Sequence, residues 1–256
     1  MADNYNQLVD SNSNDYLTSN GNGFMVRGSG GTQTMSHTLV WDADNEKIYE
    51  SGTSQGVLYL KNGDEYGEGV VWNGLTSVNE TSEGGEPNVI WADDIKYISI
   101  PSNEDAGFSI EAYTYPDEFE ICDGSRTVRG VTVHQQARRV FGFTFKSKIG
   151  NANQGLEYGY KLHIYYNCLA SPSERSYSTI NDSPEAISFN WDVTTTPVEI
   201  GTISGVALKP TAHLTIDSRK VTAASLATLE NILYGDGTSV PQLPDPATVI
   251  TTLVAA

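Results

Sequence analysis

Basic residues, cysteine and long apolar runs are all scarce in this chain. Lys and Arg number 15 against 32 Asp and Glu, for a formal charge of −17 over 256 residues. A protein that grips nucleic-acid phosphate does so with Lys and Arg, so this balance argues against simple DNA binding. No run of about 18 apolar residues is present to cross a bilayer as a helix. The start, MADNYNQLVD, lacks the basic and then apolar regions of a secretory signal. Cys122 and Cys168 are the only cysteines. With no export signal they are expected as free, buried thiols, in a chain made and assembled in a cytosol.

The residue patterns of common chemistries are missing too. His37, His134, His163 and His213 are scattered, none beside a Cys or four residues from another His, so no zinc site is expected. Asp42, Asp44 and Glu46 have the spacing of a calcium loop, but Lys47 stands where Gly is needed and Thr53 where the bidentate Glu belongs. Gly28-Ser29-Gly30-Gly31 precedes no helical pattern and makes no phosphate cradle. There is no G-x-S-x-G. With so many acids, any choice of two as a glycosidase pair is arbitrary. Neither an enzyme nor a cofactor is expected. Trp41, Trp72, Trp91 and Trp191 could line a sugar groove, but each lies in or beside an apolar strand run, which favours core packing.

What is present is alternation. In Ala186–Thr194, Ile187, Phe189, Trp191 and Val193 alternate with Ser188, Asn190, Asp192 and Thr194. Tyr160, Leu162, Ile164, Tyr166 and Cys168 repeat the pattern against Lys161, His163, Tyr165 and Asn167. A period of two is a strand with one face on a core. Further strands are expected at Thr38–Trp41, Lys47–Glu50, Gly56–Lys61, Glu65–Trp72, Asp93–Pro101, Gly107–Tyr115, Val128–His134, Arg139–Lys148, Val206–Leu208 and Thr211–Asp217. Asn62-Gly63 suits a type I′ hairpin turn, and Pro116 with the acids behind it suits one helical turn. Thr222 can cap a helix over Ala223–Tyr234 that stops at Gly235, and Asp245 a shorter one beginning at Pro246. Many strands and few helices make an all-β sandwich or barrel with one flanking α-helix and a short C-terminal helix. Residues 37–220 form the β domain, and 221–256 a helical segment packed on it. Residues 1–36 are polar without sustained periodicity: either a disordered terminus or an arm that orders on a neighbouring subunit through Tyr5, Leu8, Tyr16 and Phe24.

Charge is distributed in blocks. Residues 37–125 hold 19 acids and 3 bases, a local charge of −16. Residues 126–163 hold Arg126, Arg129, Arg138, Arg139, Lys146, Lys148 and Lys161 against Glu157 alone, or +6. Opposed blocks suit a heterologous contact, in which one face of a subunit docks on a different face of an identical copy.

Four segments carry a resemblance: Gly69–Glu86 (GVVWNGLTSVNETSEGGE), Glu111–Ser125 (EAYTYPDEFEICDGS), Phe141–Asn151 (FGFTFKSKIGN) and Leu169–Val198 (LASPSERSYSTINDSPEAISFNWDVTTTPV). In order and spacing they resemble the major tail protein, or tail tube protein, of long-tailed phages and prophages of Gram-positive bacteria, from His37 to the C-terminus. The resemblance implies a structural virion protein whose hexameric rings stack into a tube around the tape measure protein, capped by tail terminator and distal tail proteins. Assembly would take place in the bacterial host cytoplasm, with no membrane partner and with DNA met only in transit. It also implies that the hairpin at about 48–72 is an extended loop contacting neighbouring subunits. Subunit contacts are then expected at Glu50, Asp64, Glu65, Glu68, Arg126, Arg129, Arg138, Arg139, Lys146 and Lys148, and the lumen at solvent-side acids such as Asp192. The alternative expectation is a carbohydrate-binding β-sandwich module of a tail tip.

Overall fold

In the computed structural model the described residues are 6–9, 15–18, 24–27, 34–36, 41, 46–102, 104–171, 175–180, 182 and 186–254. The chain divides into two units, Met1–Ile48 with Asn151–Asn153, and Tyr49–Gly150 with Gln154–Ala256. In the first, β1 (Asn6–Val9), β2 (Asp15–Thr18), β3 (Phe24–Arg27) and β4 (Thr34–Ser36) pair in chain order as an antiparallel meander. Periodicity places no strand before His37 because runs this short give alternation no room to register. The Gly28–Gly31 run, the Asp42–Asn45 turn and all of the Thr38–Trp41 strand except Trp41 lie outside the described residues.

The second unit takes up β5 (Ile48–Asn62) and β6 (Glu65–Trp72); the hairpin is where it was expected, but its two turn residues are Gly63-Asp64, with only Gly63 at positive φ (65°), so the turn is not the type I′ turn expected at Asn62-Gly63. Then come β7 (Leu75–Gly84), β8 (Asn88–Ala92), β9 (Ile95–Ile100) and β10 (Glu104–Ala112). Pro116 opens the expected helical turn, a 3-10 turn over Asp117–Phe119 that runs into α1 (Glu120–Asp123). The remaining strands are β11 (Arg126–Val128), β12 (Val131–Val133), β13 (Phe141–Asn151), β14 (Gly155–Ala170), β15 (Phe189–Thr194), β16 (Gly201–Ile203), β17 (Val206–Leu208) and β18 (His213–Asp217). Two helices end the fold, α2 (Ala223–Tyr234) and α3 (Pro246–Val254). Thr222 caps α2 by accepting from the Ser225 N–H, and Asp245 accepts from Thr248 N–H at 2.9 Å at the head of α3.

The main sheet runs β6-β5-β13-β14-β15-β10-β7, with β18 also paired to β14. Strand β14 meets β18 along Lys161–Tyr165 and β15 only at Leu169–Ala170. Between these two pairings lies Asn167, at φ 47°. Tyr165 and Cys168 share one core although three residues apart, and Tyr166 belongs to another. An odd interval on one face requires an extra residue, so Asn167 acts as a bulge. Its Oδ1 accepts from Lys61 Nζ (2.6 Å) and Tyr66 OH (3.2 Å), and its own N–H donates to Tyr66 Oη (2.9 Å).

Beyond that corner the sheet faces itself. Phe108 of β10 stacks 5.9 Å from Phe143 of β13 and lies 4.1 Å from Tyr165 of β14, while Trp72 and Trp191 meet edge-on at 5.6 Å. These rings, with Leu58, Ile110, Phe119, Phe141 and Val193, form the core between the layers. On the other side of β5 and β14, the residues Val57, Tyr59, Leu162, Ile164 and Tyr166 pack against Leu226, Leu229 and Leu233 of α2. The fold is therefore an all-β sandwich with flanking helices. Both cysteines are buried free thiols, and burial pushes Cys122 up to about 12.

The β5–β6 hairpin, expected as an extended loop contacting neighbouring subunits, is built into the sandwich. Both strands belong to the main sheet, and Val57, Leu58, Tyr59 and Trp72 are buried. Polar residues dominate its length, but its apolar minority alternates and fills both cores. Truncating the ring at the centre of the inter-layer core tests this packing. Phe143→Ala, at a fully buried position, is expected to lower unfolding free energy by about 3–5 kcal/mol in urea titration.

Candidate functional site

Outward positions of the β7-β10-β15 layer are polar and short. Register sets Asp192 opposite Ser109, which faces Asn79, and sets Asn190 opposite Glu111, which faces Ser77. Ser77 Oγ donates to Glu111 Oε2 at 2.9 Å, and Asn79 Nδ2 to Ser109 Oγ at 3.3 Å. Asp192 is exposed, as is Asp105 two positions before Gly107 on the same face. No Lys or Arg occurs in any of these three strands. The bases lie on the other layer, with Lys146 and Lys148 on β13 and Lys161 on β14. The result is a base-free sheet surface, acidic and without large side chains.

Among the described residues three small hairpins pair with no third strand, β8–β9, β11–β12 and β16–β17, and the first two carry charged tips. The β8–β9 hairpin turns at Asp93-Asp94, both at positive φ (52° and 63°), the conformation of a type I′ turn. Ile90, Trp91, Ile95, Tyr97, Ile98 and Ile100 on it are all exposed. Its register shifts between Ile90 and Trp91. The β11–β12 hairpin turns at Arg129-Gly130 (φ 51° and 84°) and exposes Val128, Val131 and Val133. One hairpin thus carries an acidic tip on an apolar stem, and the other a basic tip. Exposed apolar patches of this kind are a feature that contact surfaces share.

No family model matches the chain, and no curated protein does.

The expected contact residues separate into two groups. Glu65 and Glu68 are exposed on β6, the last strand at one edge of the sheet, and Asp64 is exposed in the turn before them. Arg126 and Arg129 are exposed on the β11–β12 hairpin, and Lys148 is exposed on β13. Glu50 pairs with Lys161. Arg138, Arg139 and Lys146 are instead committed within the chain. Arg138 Nη1 donates to the Ala170 carbonyl (3.1 Å) and Arg139 Nε to that of Lys61 (2.8 Å). Lys146 pairs with Glu230 at 2.6 Å beneath the rings of Tyr160 and Tyr234. Charge counted along a sequence does not distinguish a free guanidinium from one that caps backbone carbonyls.

The tryptophans also divide. Trp72 and Trp191 are in the core, as expected, but Trp41 and Trp91 are 76% and 67% exposed. Trp91 sits in an apolar run, yet that run is a hairpin whose apolar side chains stay exposed among the described residues.

A further cluster was not legible from spacing. β14–β18 pairing sets His163 opposite Thr215 and Tyr165 opposite His213, so the two histidines are diagonal neighbours on one face. His163 Nδ1 lies 3.3 Å from His213 Nε2. Glu80 reaches in from β7, its Oε1 3.2 Å from His163 Nδ1 and 3.7 Å from His213 Nε2. Tyr165 OH donates to the same oxygen at 2.8 Å, and Ser147 Oγ lies 3.0 Å from His163 Nε2. Burial lowers both imidazoles from the ordinary histidine range, which leaves them neutral at pH 7.

Acrylamide quenching is expected to reach two of the four tryptophans in the folded monomer. Trp91→Phe should remove about half of the quenchable emission, taking equal quantum yields, whereas Trp191→Phe should remove none.

Proposed function

We propose that the chain is a phage tail tube subunit, copies of which join unlike patches into six-membered rings that stack as a hollow conduit. The observation that carries the reading is the base-free outer face of β7, β10 and β15. A channel for DNA must offer phosphates no partner, and acids such as Asp192, Glu111 and Asp105 repel them across a Debye length of about 8 Å. Short Ser, Thr and Asn side chains between them give bases nothing to stack on. In this assignment the face lines the bore. The four segments resembling tail tube proteins support the same conclusion.

The contacts between copies come from the β8–β9 and β11–β12 hairpins. The stem of β8–β9 supplies apolar area, and its Asp93-Asp94 tip meets the Arg126 and Arg129 hairpin of the next copy. Such a contact is heterologous, so it propagates or closes into a ring. Charge sets partner and register, while Trp91 and the isoleucines supply affinity.

A second reading is a carbohydrate-binding module of a tail tip, favoured by the exposure of Trp91 and Tyr97 on one hairpin. Sugar rings stack on such aromatic faces. A shift of tryptophan emission with members of a glycan panel, from a protein that stays monomeric, would favour it.

Electron microscopy of the concentrated protein is expected to show annuli or rods, with their abundance altered by salt. Asp93→Lys with Asp94→Lys should leave soluble folded monomers, and adding Arg126→Glu and Arg129→Glu should restore assembly. Monomers under all conditions, tail initiators included, would overturn the reading; full-length tubes from the Lys variant would remove the hairpin from the interface. Glu111→Lys with Asp192→Lys, in an assembled tail, should slow or stall DNA release without altering tube length. Unchanged release would place this face away from the bore.

A further inference from the structure

Three acceptor atoms converge where the two layers of the sandwich meet: His163 Nδ1, His213 Nε2 and Glu80 Oε1. Their separations are 3.3, 3.2 and 3.7 Å. Four ligands around a zinc ion at about 2.0–2.1 Å lie about 3.3 Å from one another, the edge of a tetrahedron of that radius. Protons can satisfy at most two edges of this triangle, because imidazole N–H groups that both donate to the carboxylate cannot also bond each other. In the tautomers where His163 Nε2–H donates to Ser147 Oγ and His213 carries its proton on Nδ1, both imidazoles present lone pairs beside the carboxylate, an arrangement that a cation can bridge.

The supports are those that metal ligands need. Tyr165 OH holds Glu80 by its Oε1, and Ser147 fixes the far nitrogen of His163. Phe145 stacks on the His163 ring at 4.5 Å with planes 3° apart, and Tyr165 on the His213 ring at 4.1 Å with planes 6° apart. Both rings are therefore set in place before any ion arrives. Thr215 Oγ1, 3.2 Å from His213 Nε2, is an exposed hydroxyl that can rotate aside. The Glu80 side chain is half exposed, which leaves a fourth position open to water.

We propose that Glu80, His163 and His213 form a binding site for one divalent transition-metal ion, zinc foremost, that ties β7 of one layer to β14 and β18 of the other. Two imidazole nitrogens and one carboxylate oxygen suit zinc and disfavour calcium or magnesium, which take oxygen ligands. The site lies on the inner side of β7, away from the polar face assigned to the bore, so it stands independently of the tube reading.

The test uses the full chain, stripped of metal and titrated with zinc chloride against a chromogenic chelator. One saturable ion per chain is expected, together with a rise in Tm. Cobalt chloride should give the visible absorption of a four-coordinate ion. Glu80→Gln and His213→Ala should each abolish the one-to-one binding with far-UV circular dichroism unchanged. Tyr165→Phe should weaken it about 10- to 100-fold, as loss of a ligand's supporting hydrogen bond does. If His213→Ala does not fold, Glu80→Gln decides, because that side chain is half in solvent. Absence of saturable zinc binding, or wild-type affinity in Glu80→Gln, would overturn the assignment.

Discussion

Strand β14 belongs to two layers at once, and most of the molecule depends on the corner it turns at Asn167. The left-handed backbone there inserts one residue, so His163 and Tyr165 face the same interior as Cys168 and Ala170 beyond the bulge. Lys61 and Tyr66, from the β5–β6 hairpin, fill the hydrogen-bonding capacity of Asn167. Asn is suited to this position because its short polar side chain tolerates positive φ and bonds locally. Without the corner, β15 would have no route from β14, and the aromatic core would have only one wall.

That architecture separates the charges as well. Strands beyond the corner carry acids and no bases, whereas β13 and the first half of β14 carry lysines. One consequence is a molecule whose two layers differ in electrostatic character while sharing a single core. Under the proposed function, this difference is what allows one side to be bored by a polyanion while the others meet protein. The committed bases, Arg138, Arg139 and Lys146, play a different part. They join β14, the β5–β6 hairpin and α2 to the rest of the sandwich by donating to carbonyls and pairing with Glu230.

Much of this was legible in the residues. The alternation of Phe189, Trp191 and Val193 and the Thr222 cap each encode local structure in a short window and appear where expected, while the β5–β6 turn falls one residue later, at Gly63-Asp64. Strand β7 escaped because LTSVNETSEG holds only Leu75 and Val78 as apolar residues and sits at the end of the sheet order. Val128–His134 read as one strand because its two valine runs are short, and Arg129 conceals a left-handed turn. The Glu80, His163 and His213 cluster could not be read from spacing at all. The histidines are 50 residues apart, and only the β14–β18 register makes them neighbours. Long-range pairing is decided by the whole sheet, and no window of sequence contains it.

The isolation of β8–β9 has an energetic consequence. A two-stranded ribbon without a third strand or a packed face is marginally stable in water, and this one leaves its isoleucines and Trp91 in solvent. Under the proposed function, a lone subunit is a molecule whose folding is unfinished by one element. In the proposed tube, each docked copy would complete that element in its neighbour, making growth at an existing end far easier than starting a new one. Spontaneous polymerisation in the cell would be held back by a nucleation barrier, and a tail would begin only where a template presents the first complementary surface.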